Sequence, residues 1–239
     1  GSPAAIVGLL VVLALNALRS ERLELAGVFF ALATSFPQPI ILLIGFVLFW
    51  TIYNRKGILA IYLLAGIAFF IVIGLFFIHD WPLQFLRSMV GQSGEQALLT
   101  SGEILKTWLP GVGARLGWAL TILVTLVLSV EWYLARRHDL RWFLWTGSLT
   151  LVLQIWIGIP TQLSYIVILL FPLVLVLANW EQRLGRTGKI LSVTSLILLV
   201  SSGWIIAIKF PAGWQEISKL PSSTWGMISF LVLLLIIGL

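Results

Sequence analysis

Long apolar runs, separated by short polar or basic stretches, dominate the hydrophobic pattern of the chain. A helix that crosses the hydrocarbon core of a bilayer needs about 20 apolar residues, with a range of roughly 17–25. Runs such as LVTLVLSV and LVLLLIIGL do not alternate as the strands of a membrane barrel would. The pattern therefore predicts an all-α fold, a polytopic transmembrane helix bundle of about nine segments: 3–18, 25–36, 39–53, 57–78, 114–134, 142–158, 165–180, 190–208 and 224–239.

The composition adds to this picture. Of the 239 residues, 60% are hydrophobic and 10% are charged, and the mean hydropathy is +1.07. A soluble domain carries about 25% charged residues. The net charge of +6 comes from turns between apolar runs, so we expect membrane lipid rather than nucleic acid as a partner. With no Cys and two His, disulfides and Cys- or His-rich metal sites are excluded, and no cofactor is expected.

Lys and Arg are distributed unequally between alternate loops. If the nine segments alternate in direction, ten of the fifteen cations fall in one set of loops and five in the other. The positive-inside rule then makes the ten-cation set cytoplasmic. The expected location is the bacterial inner (plasma) membrane, with the chain crossing it several times. The two sets are Arg19, Arg22, Arg55, Lys56, Arg136, Arg137, Arg141, Arg183, Arg186 and Lys189, and Arg87, Lys106, Arg115, Lys209 and Lys219.

The same topology predicts two long outer loops, 79–113 and 209–223. The first contains WPLQFLRSMV, whose apolar residues recur at helical spacing, so it predicts a helix lying in the membrane interface. No linker or repeat divides the chain. We therefore expect residues 1–239 to form a single transmembrane domain.

Pro37-Gln38-Pro39 interrupts an otherwise apolar stretch, ALATSFPQPIILL. The two prolines are expected to end one helix and begin the next, with Pro39 in a first helical turn, where its missing N–H costs nothing. The topology places this break at the outer face. Two interpretations remain open: a plain hairpin turn, or a break at which Gln38 faces a polar cavity open to the outside.

A second break, Pro160-Thr161-Gln162, falls on the same predicted side. Tyr165 is expected to begin the following helix, and Pro172 to lie inside that helix and kink it. A break frees backbone groups, and such groups are tolerated at membrane depth only inside protein or beside a wet cavity. We therefore expect Gln38, Gln162 and Tyr165 to converge on one outward-facing pocket, together with Asp80 and Arg87 of the long outer loop, with an apolar groove leading from it to the bilayer.

Polar side chains near these segments supply further candidates. His79 and Asp80 follow segment 57–78 where it leaves the membrane. They form either a general base or metal-ligand pair, or an ordinary polar helix end at which Asp80 caps the segment that follows. Arg87 follows on the predicted interfacial helix. Its planar guanidinium suits a substrate phosphate or a lipid headgroup.

Two polar residues fall within the predicted helices. Glu131 lies near the predicted cytoplasmic end of its segment, where a neighbourhood with Arg136 and Arg137 is expected. Gln154 is predicted to hydrogen-bond between helices. No ionisable residue falls in the middle of a segment, which disfavours an ion-coupled transporter. Nucleotide-binding loops and hydrolase motifs are absent from the sequence.

Several of these motifs together resemble integral-membrane glycosyltransferases of the C superfamily, closest to the polyprenyl-phosphate-mannose-dependent mannosyltransferases of glycosyltransferase family 87. Gly1-Ser2-Pro3 stands at the family's Gly-Gln position, and Ala26-Gly27 and Ala31-Leu32-Ala33-Thr34 match. Phe36-Pro37-Gln38 stands where the family has Lys-Pro-Gln. The stretch IPTQLSYIVILLFPLVLVL is similar to the family's outer Pro–polar–Tyr segment.

The resemblance implies transfer of a sugar from a polyprenyl-phosphate donor at the outer face. If this enzyme interpretation holds, the expected substrate-binding residues are Gln38, His79, Asp80, Arg87, Gln162 and Tyr165. The family's catalytic acid lies in a first outer loop that has no counterpart here, so the chain is expected to be the C-terminal part of the enzyme, with the catalytic residue unassigned. Two alternatives remain open: a transporter or flippase for a lipid or small amphiphile, and a non-catalytic subunit of a membrane complex.

Overall fold

The computed structural model describes residues 3–78, 80, 83, 84, 87, 105, 109–136, 138–157 and 168–209, with the backbone alone at 155–156 and 198–209. Its regular structure is entirely helical in these residues, as the sequence predicts. The helices are α1 (Ala4–Arg19), α2 (Leu23–Ala33), α3 (Ile41–Tyr53), α4 (Gly57–Phe77), α5 (Gly113–Ala135), α6 (Leu140–Ile157), α7 (Leu170–Leu184) and α8 (Arg186–Lys209).

The first eight predicted segments each coincide with one of these helices. The ninth, 224–239, lies outside the described residues, as do most of loop 79–113 and the whole of 210–223. The prediction of nine membrane segments therefore stays a prediction. The described chain forms two compact units, residues up to Phe171 and residues from Pro172 onward.

Two three-residue turns connect α1 to α2 and α3 to α4 in the same way. Arg22 N–H donates to the carbonyl oxygen of Ala17 at 2.9 Å, and Lys56 N–H donates to that of Thr51 at 3.1 Å. These are the six-residue closures of a Schellman motif. The middle residue of each turn has a left-handed backbone, with φ of 58° at Glu21 and 54° at Arg55. Polar residues thus reverse the chain within one helical turn.

α3 is the centre of the first unit, because it packs against α4, α5 and α6. Its apolar side chains form an aromatic core with α5 and α6. The ring centroids of Phe46 and Phe143 are 5.2 Å apart, and those of Trp50 and Phe143 are 4.6 Å apart. Trp132 of α5 packs 5.6 Å from Phe46 and donates its indole N–H to Thr150 at 2.9 Å. This core fixes the relative positions of α3, α5 and α6.

α2 packs between α1 and α4, and its contact with α4 depends on small residues. A Cβ added to Gly27 would lie 2.7 Å from the Cβ of Tyr62 and 2.9 Å from the carbonyl oxygen of Leu59. One turn further on, a Cβ added to Gly66 of α4 would overlap the Cβ of Ala31. The spacing Gly-x-x-x-Ala in α2 therefore lets the two backbones approach closely, as small residues do in membrane helix pairs.

α4 and α5 are the helices that are long and apolar enough to cross a membrane among the described residues. Their most apolar windows are only 11% and 17% buried. Residues such as Phe76, Phe77 and Trp118 are largely exposed. Exposed apolar helices of this length are typical of helices that face lipid, and they indicate a membrane protein.

The second unit contains α8 and all but the first two residues of α7. Ser192 donates to the carbonyl oxygen of Leu177 at 3.3 Å, and Lys189 forms a 3.2 Å ion pair with Glu181. α7 begins at Leu170, and the predicted helix start at Tyr165 lies outside the described residues. Pro172 lies inside this helix, as predicted, but so close to its start that no kink follows from it. Pro172 occupies the first turn of α7, where the backbone N–H has no intrahelical acceptor.

Candidate functional site

The segment between α2 and α3 is a defined turn. The hydroxyl group of Thr34 donates to the carbonyl oxygen of Ala31 at 2.6 Å, just after α2 ends. Ile40 N–H donates to the carbonyl oxygen of Pro37 at 3.0 Å. α3 begins at Ile41, so Pro39 lies two residues before the helix. The prediction that Pro39 lies in the first helical turn is therefore wrong. Ile40, at φ −135° and ψ 9°, is not helical and closes the turn instead, so α3 starts one residue later.

Gln154, near the end of α6, is bonded to this turn through both ends of its side-chain amide. Leu42 N–H donates to Gln154 Oε1 at 2.9 Å, and Gln154 Nε2 donates to the carbonyl oxygen of Gln38 at 3.1 Å. We call this pair of hydrogen bonds the Gln154 clamp. In an uninterrupted helix, the Leu42 N–H would donate directly to the Gln38 carbonyl. The buried amide takes the place of that missing backbone bond.

The Gln154 clamp confirms the predicted hydrogen bond between helices and changes the account of the first break. The Gln38 carbonyl and the Leu42 N–H were expected to need a wet cavity. Both are hydrogen-bonded to the protein, and Gln154 itself is 0% exposed. The Gln38 side chain therefore stays a predicted substrate ligand, and no cavity is needed to explain the break.

The Gln154 clamp also determines which ends of the helices meet. α6 ends at Ile157, three residues along the chain before the predicted break Pro160-Thr161-Gln162. Gln154 itself lies in the last turn of α6. The turn at 37–40 is thus fastened to α6 one helical turn before the stretch that leads to Gln162.

The other predicted site residues are described only in part. Asp80 and Arg87 are exposed, and Gln84 N–H donates to the carbonyl oxygen of Asp80 at 2.9 Å. Leu83, Gln84 and Arg87 have helical backbone, in accord with the predicted helix after Asp80. His79, Gln162 and Tyr165 lie outside the described residues. Their place in a site stays a prediction.

At the opposite end of the first unit, the turn 54–56 meets the C-terminus of α5. The side-chain amide of Asn54 donates to the carbonyl oxygens of Trp50 at 2.9 Å and Arg136 at 2.8 Å. This contact brings together two loops that the charge pattern assigns to one side of the membrane. Sequence reasoning did not single out Asn54, and its place directly after an apolar helix is only a general cap signal.

Glu131 does not have the ion-paired neighbourhood expected for it. The guanidinium carbon of Arg136 lies 3.4 Å from the centroid of the Tyr133 ring, and Glu131 forms no ion pair with any described residue. Its Oε2 is buried without a hydrogen-bond partner in the described part of the chain. Arg137 lies outside the described residues. In a helix Tyr133 and Arg136 are three positions apart, which places them on one face and favours the cation–π contact.

The described residues bring no three His, Asp or Glu side chains together as a metal site. They supply a clamped polar turn, a neighbouring helix end and an exposed helical segment with Asp80 and Arg87. Amide and guanidinium groups of this kind hydrogen-bond polar or phosphorylated headgroups in proteins. Comparison with protein-family models, with curated proteins and with solved structures finds no match. The resemblance to polyprenyl-phosphate-dependent glycosyltransferases therefore rests on the sequence motifs alone.

Proposed function

We propose that the protein is a multi-pass membrane glycosyltransferase of the bacterial inner membrane that uses a polyprenyl-phosphate-linked sugar donor at the outer face. The described chain forms the part that receives the donor. The polar headgroup lies beside the turn at 37–40, and the polyprenyl tail runs along exposed apolar helix surface. In this proposal the sugar is transferred to an acceptor on the same side of the membrane.

The observation that carries the proposal is the Gln154 clamp. It fastens the turn containing Gln38 to the end of α6, directly before the second predicted break. Two polar interruptions at the same end of a helical unit give a donor headgroup hydrogen-bonding partners beside an apolar surface. Because the clamp also satisfies the backbone of the turn, the side chain of Gln38 is positioned by a rigid support.

Each predicted site residue has a role in this proposal. Arg87 binds the phosphate, because a guanidinium donates two parallel hydrogen bonds to phosphate oxygens. Gln38, Gln162 and Tyr165 contact sugar hydroxyl groups. His79 and Asp80 line the entrance beside the membrane surface. The catalytic base is not among them.

A photoreactive polyprenyl-phosphate hexose tests the donor site. We expect ultraviolet light to cross-link this probe to the purified protein, and non-photoreactive polyprenyl-phosphate hexose to compete. The substitutions Arg87→Ala and Gln38→Ala should each lower cross-linking by about tenfold, the loss expected when one charged or well-placed hydrogen bond of 1–2 kcal/mol is removed.

Two exposed residues near the opposite end of the unit provide matched controls. Arg22→Ala removes the same charge as Arg87→Ala, and Asn16→Ala removes an amide as Gln38→Ala does. Both controls should cross-link as the unsubstituted protein does. Equal labelling of all four variants would contradict the donor site. Movement of a labelled lipid across the bilayer without any sugar transfer would favour the transporter or flippase instead.

A further inference from the structure

A second polar surface lies at the end of the first unit opposite the Gln154 clamp. Here cationic side chains rest on aromatic rings. Lys56 Nζ lies 4.9 Å from the centroid of the Trp50 ring. The guanidinium carbon of Arg136 lies 3.4 Å from the Tyr133 ring and 5.5 Å from the Tyr53 ring. We call these five residues, with the adjacent Arg55, the basic–aromatic cluster.

The cluster is held together by contacts between two loops. Asn54 donates to the carbonyl oxygen of Arg136, directly after α5, and so bonds the α3–α4 turn to the end of that helix. Arg136 contacts rings from both α3 and α5. Arg136 is therefore supported on two helices, and Lys56 rests on a ring of α3. A guanidinium held over ring faces keeps its planar N–H groups available for an anion.

Carboxylates do not balance the cations at this end. The described charged residues here are six cations and four carboxylates, and none of them forms an ion pair within the described residues: Arg19, Arg22, Arg55, Lys56, Arg136 and Arg141, and Glu21, Glu24, Glu131 and Asp139. The C-termini of α3 and α5 and the N-termini of α4 and α6 all lie here, so their helix dipoles oppose one another. The excess of cationic side chains therefore makes the local electrostatic potential positive.

Exposed apolar surface begins directly beside the cluster. Ile52 of α3 is 72% exposed and Val130 of α5 is 55% exposed. Phe49 continues the seam between the two helices, with its ring 4.8 Å from Tyr53 and 6.2 Å from Trp132. A ligand that is anionic at one end and apolar along its length matches this order of cations, amphipathic rings and aliphatic side chains.

We propose that the basic–aromatic cluster binds an anionic glycerophospholipid, with its phosphate at Arg136 and Lys56 and its acyl chains along the seam of α3 and α5. Basic pockets between membrane helices on the cytoplasmic side recognise anionic headgroups in this way. The charge pattern of the sequence assigns both loops to that side. This site is separate from the donor site and does not depend on the proposed enzymatic activity.

Thermal unfolding of the purified protein, followed by tryptophan fluorescence, tests the site. Dioleoyl phosphatidylglycerol should raise the midpoint by about 3 °C or more relative to phosphatidylcholine with the same chains, because a ligand that binds the folded state stabilises it. The rise should be lost in Arg136→Gln and in Lys56→Gln. Arg136→Lys should retain part of the rise. The control Arg22→Gln, which removes one charge from the exposed α1–α2 turn, should retain all of it.

Three results would overturn the proposal. The first is an equal rise with phosphatidylcholine, and the second is an equal loss in Arg22→Gln, since either shows that no particular site is involved. The third is a full rise with inorganic phosphate or glycerol 3-phosphate alone, which would make the ligand a soluble phosphate. If Arg136→Gln does not fold, Lys56→Gln decides the outcome, because Lys56 rests on Trp50 of its own helix pair and does not join α3 to α5 as Arg136 does.

Discussion

Replacing Gln154 with leucine is expected to lower the free energy of unfolding by about 2–5 kcal/mol, the largest effect of any single change considered. Leucine has nearly the same size but no hydrogen-bonding groups. The Gln38 carbonyl and the Leu42 N–H would then be left without their partner, and each unsatisfied buried backbone group costs about 1–3 kcal/mol. The Gln154 amide is buried, so water cannot readily replace it. Chemical unfolding in mixed micelles measures the loss.

Gln182→Leu is the matched control for this change. Gln182 is exposed on α7, and the same chemical substitution there should change stability by less than about 0.5 kcal/mol. Gln154→Glu gives a further comparison, because its carboxylate can accept from Leu42 but cannot donate to Gln38. It should be at least as destabilising as leucine. Normal stability of Gln154→Leu would contradict the clamp.

Gly27→Ala and Gly8→Ala are expected to change stability in opposite directions. At Gly27 the new methyl group would lie within 3 Å of Tyr62 and Leu59, so α2 and α4 must separate. Overpacking of this kind costs about 1–3 kcal/mol. At Gly8 the methyl group meets nothing within 4 Å, and alanine is the better helix former by about 0.5–1 kcal/mol.

The pair is informative because both glycines lie inside helices of the same unit. Any general effect of alanine on the unfolded chain is common to the two variants. Gly66→Ala should behave like Gly27→Ala, since its methyl group would overlap Ala31 across the same contact. Equal stabilisation of Gly27→Ala and Gly8→Ala in the same unfolding assay would show that α2 and α4 do not approach as closely as described.

The helices were predictable because their apolar runs are bounded by polar turns. The turns at Glu21 and Arg55 contain the charged residues that the pattern used as boundaries, and both helix pairs end there. Boundaries next to proline were less predictable. Pro39 and Pro172 were both assigned from proline's general preferences. The Ile40 N–H donates to the Pro37 carbonyl ahead of α3, so Pro39 lies before that helix. α7 starts at Leu170, so Pro172 lies in its first turn.

The contacts within the candidate site could be predicted only in kind. A glutamine near the end of an apolar helix indicates a hydrogen bond between helices, but which backbone groups it meets depends on the packing of α6 against α3. Glu131 and Arg136 illustrate the same limit. Their nearness in sequence indicated an ion pair, whereas the side chain of Arg136 instead lies over Tyr133, one helical turn away. Such contacts depend on tertiary packing, which the hydrophobic periodicity of the sequence does not determine.

The central claim is that the two polar breaks share one site. The sequence contains no cysteine, so pairs of introduced cysteines can measure this directly. Gln38→Cys combined with Gln162→Cys places one thiol on each break. A positive control combines Arg55→Cys with His138→Cys, on the two loops joined by Asn54. A negative control combines Gln38→Cys with Arg55→Cys, at opposite ends of α3, roughly 20 Å apart.

A bifunctional reagent with a span of about 10 Å should cross-link the Gln38 and Gln162 positions, because the account predicts that both breaks border one pocket. The turn that carries Gln38 is bonded to Gln154, eight residues before Gln162. The polyprenyl-phosphate hexose should slow this reaction by occupying the space between the thiols. Cross-linking in the positive control but not between positions 38 and 162 would contradict the shared site. The account would also be contradicted if positions 38 and 162 cross-link at the same rate with and without a saturating concentration of the donor.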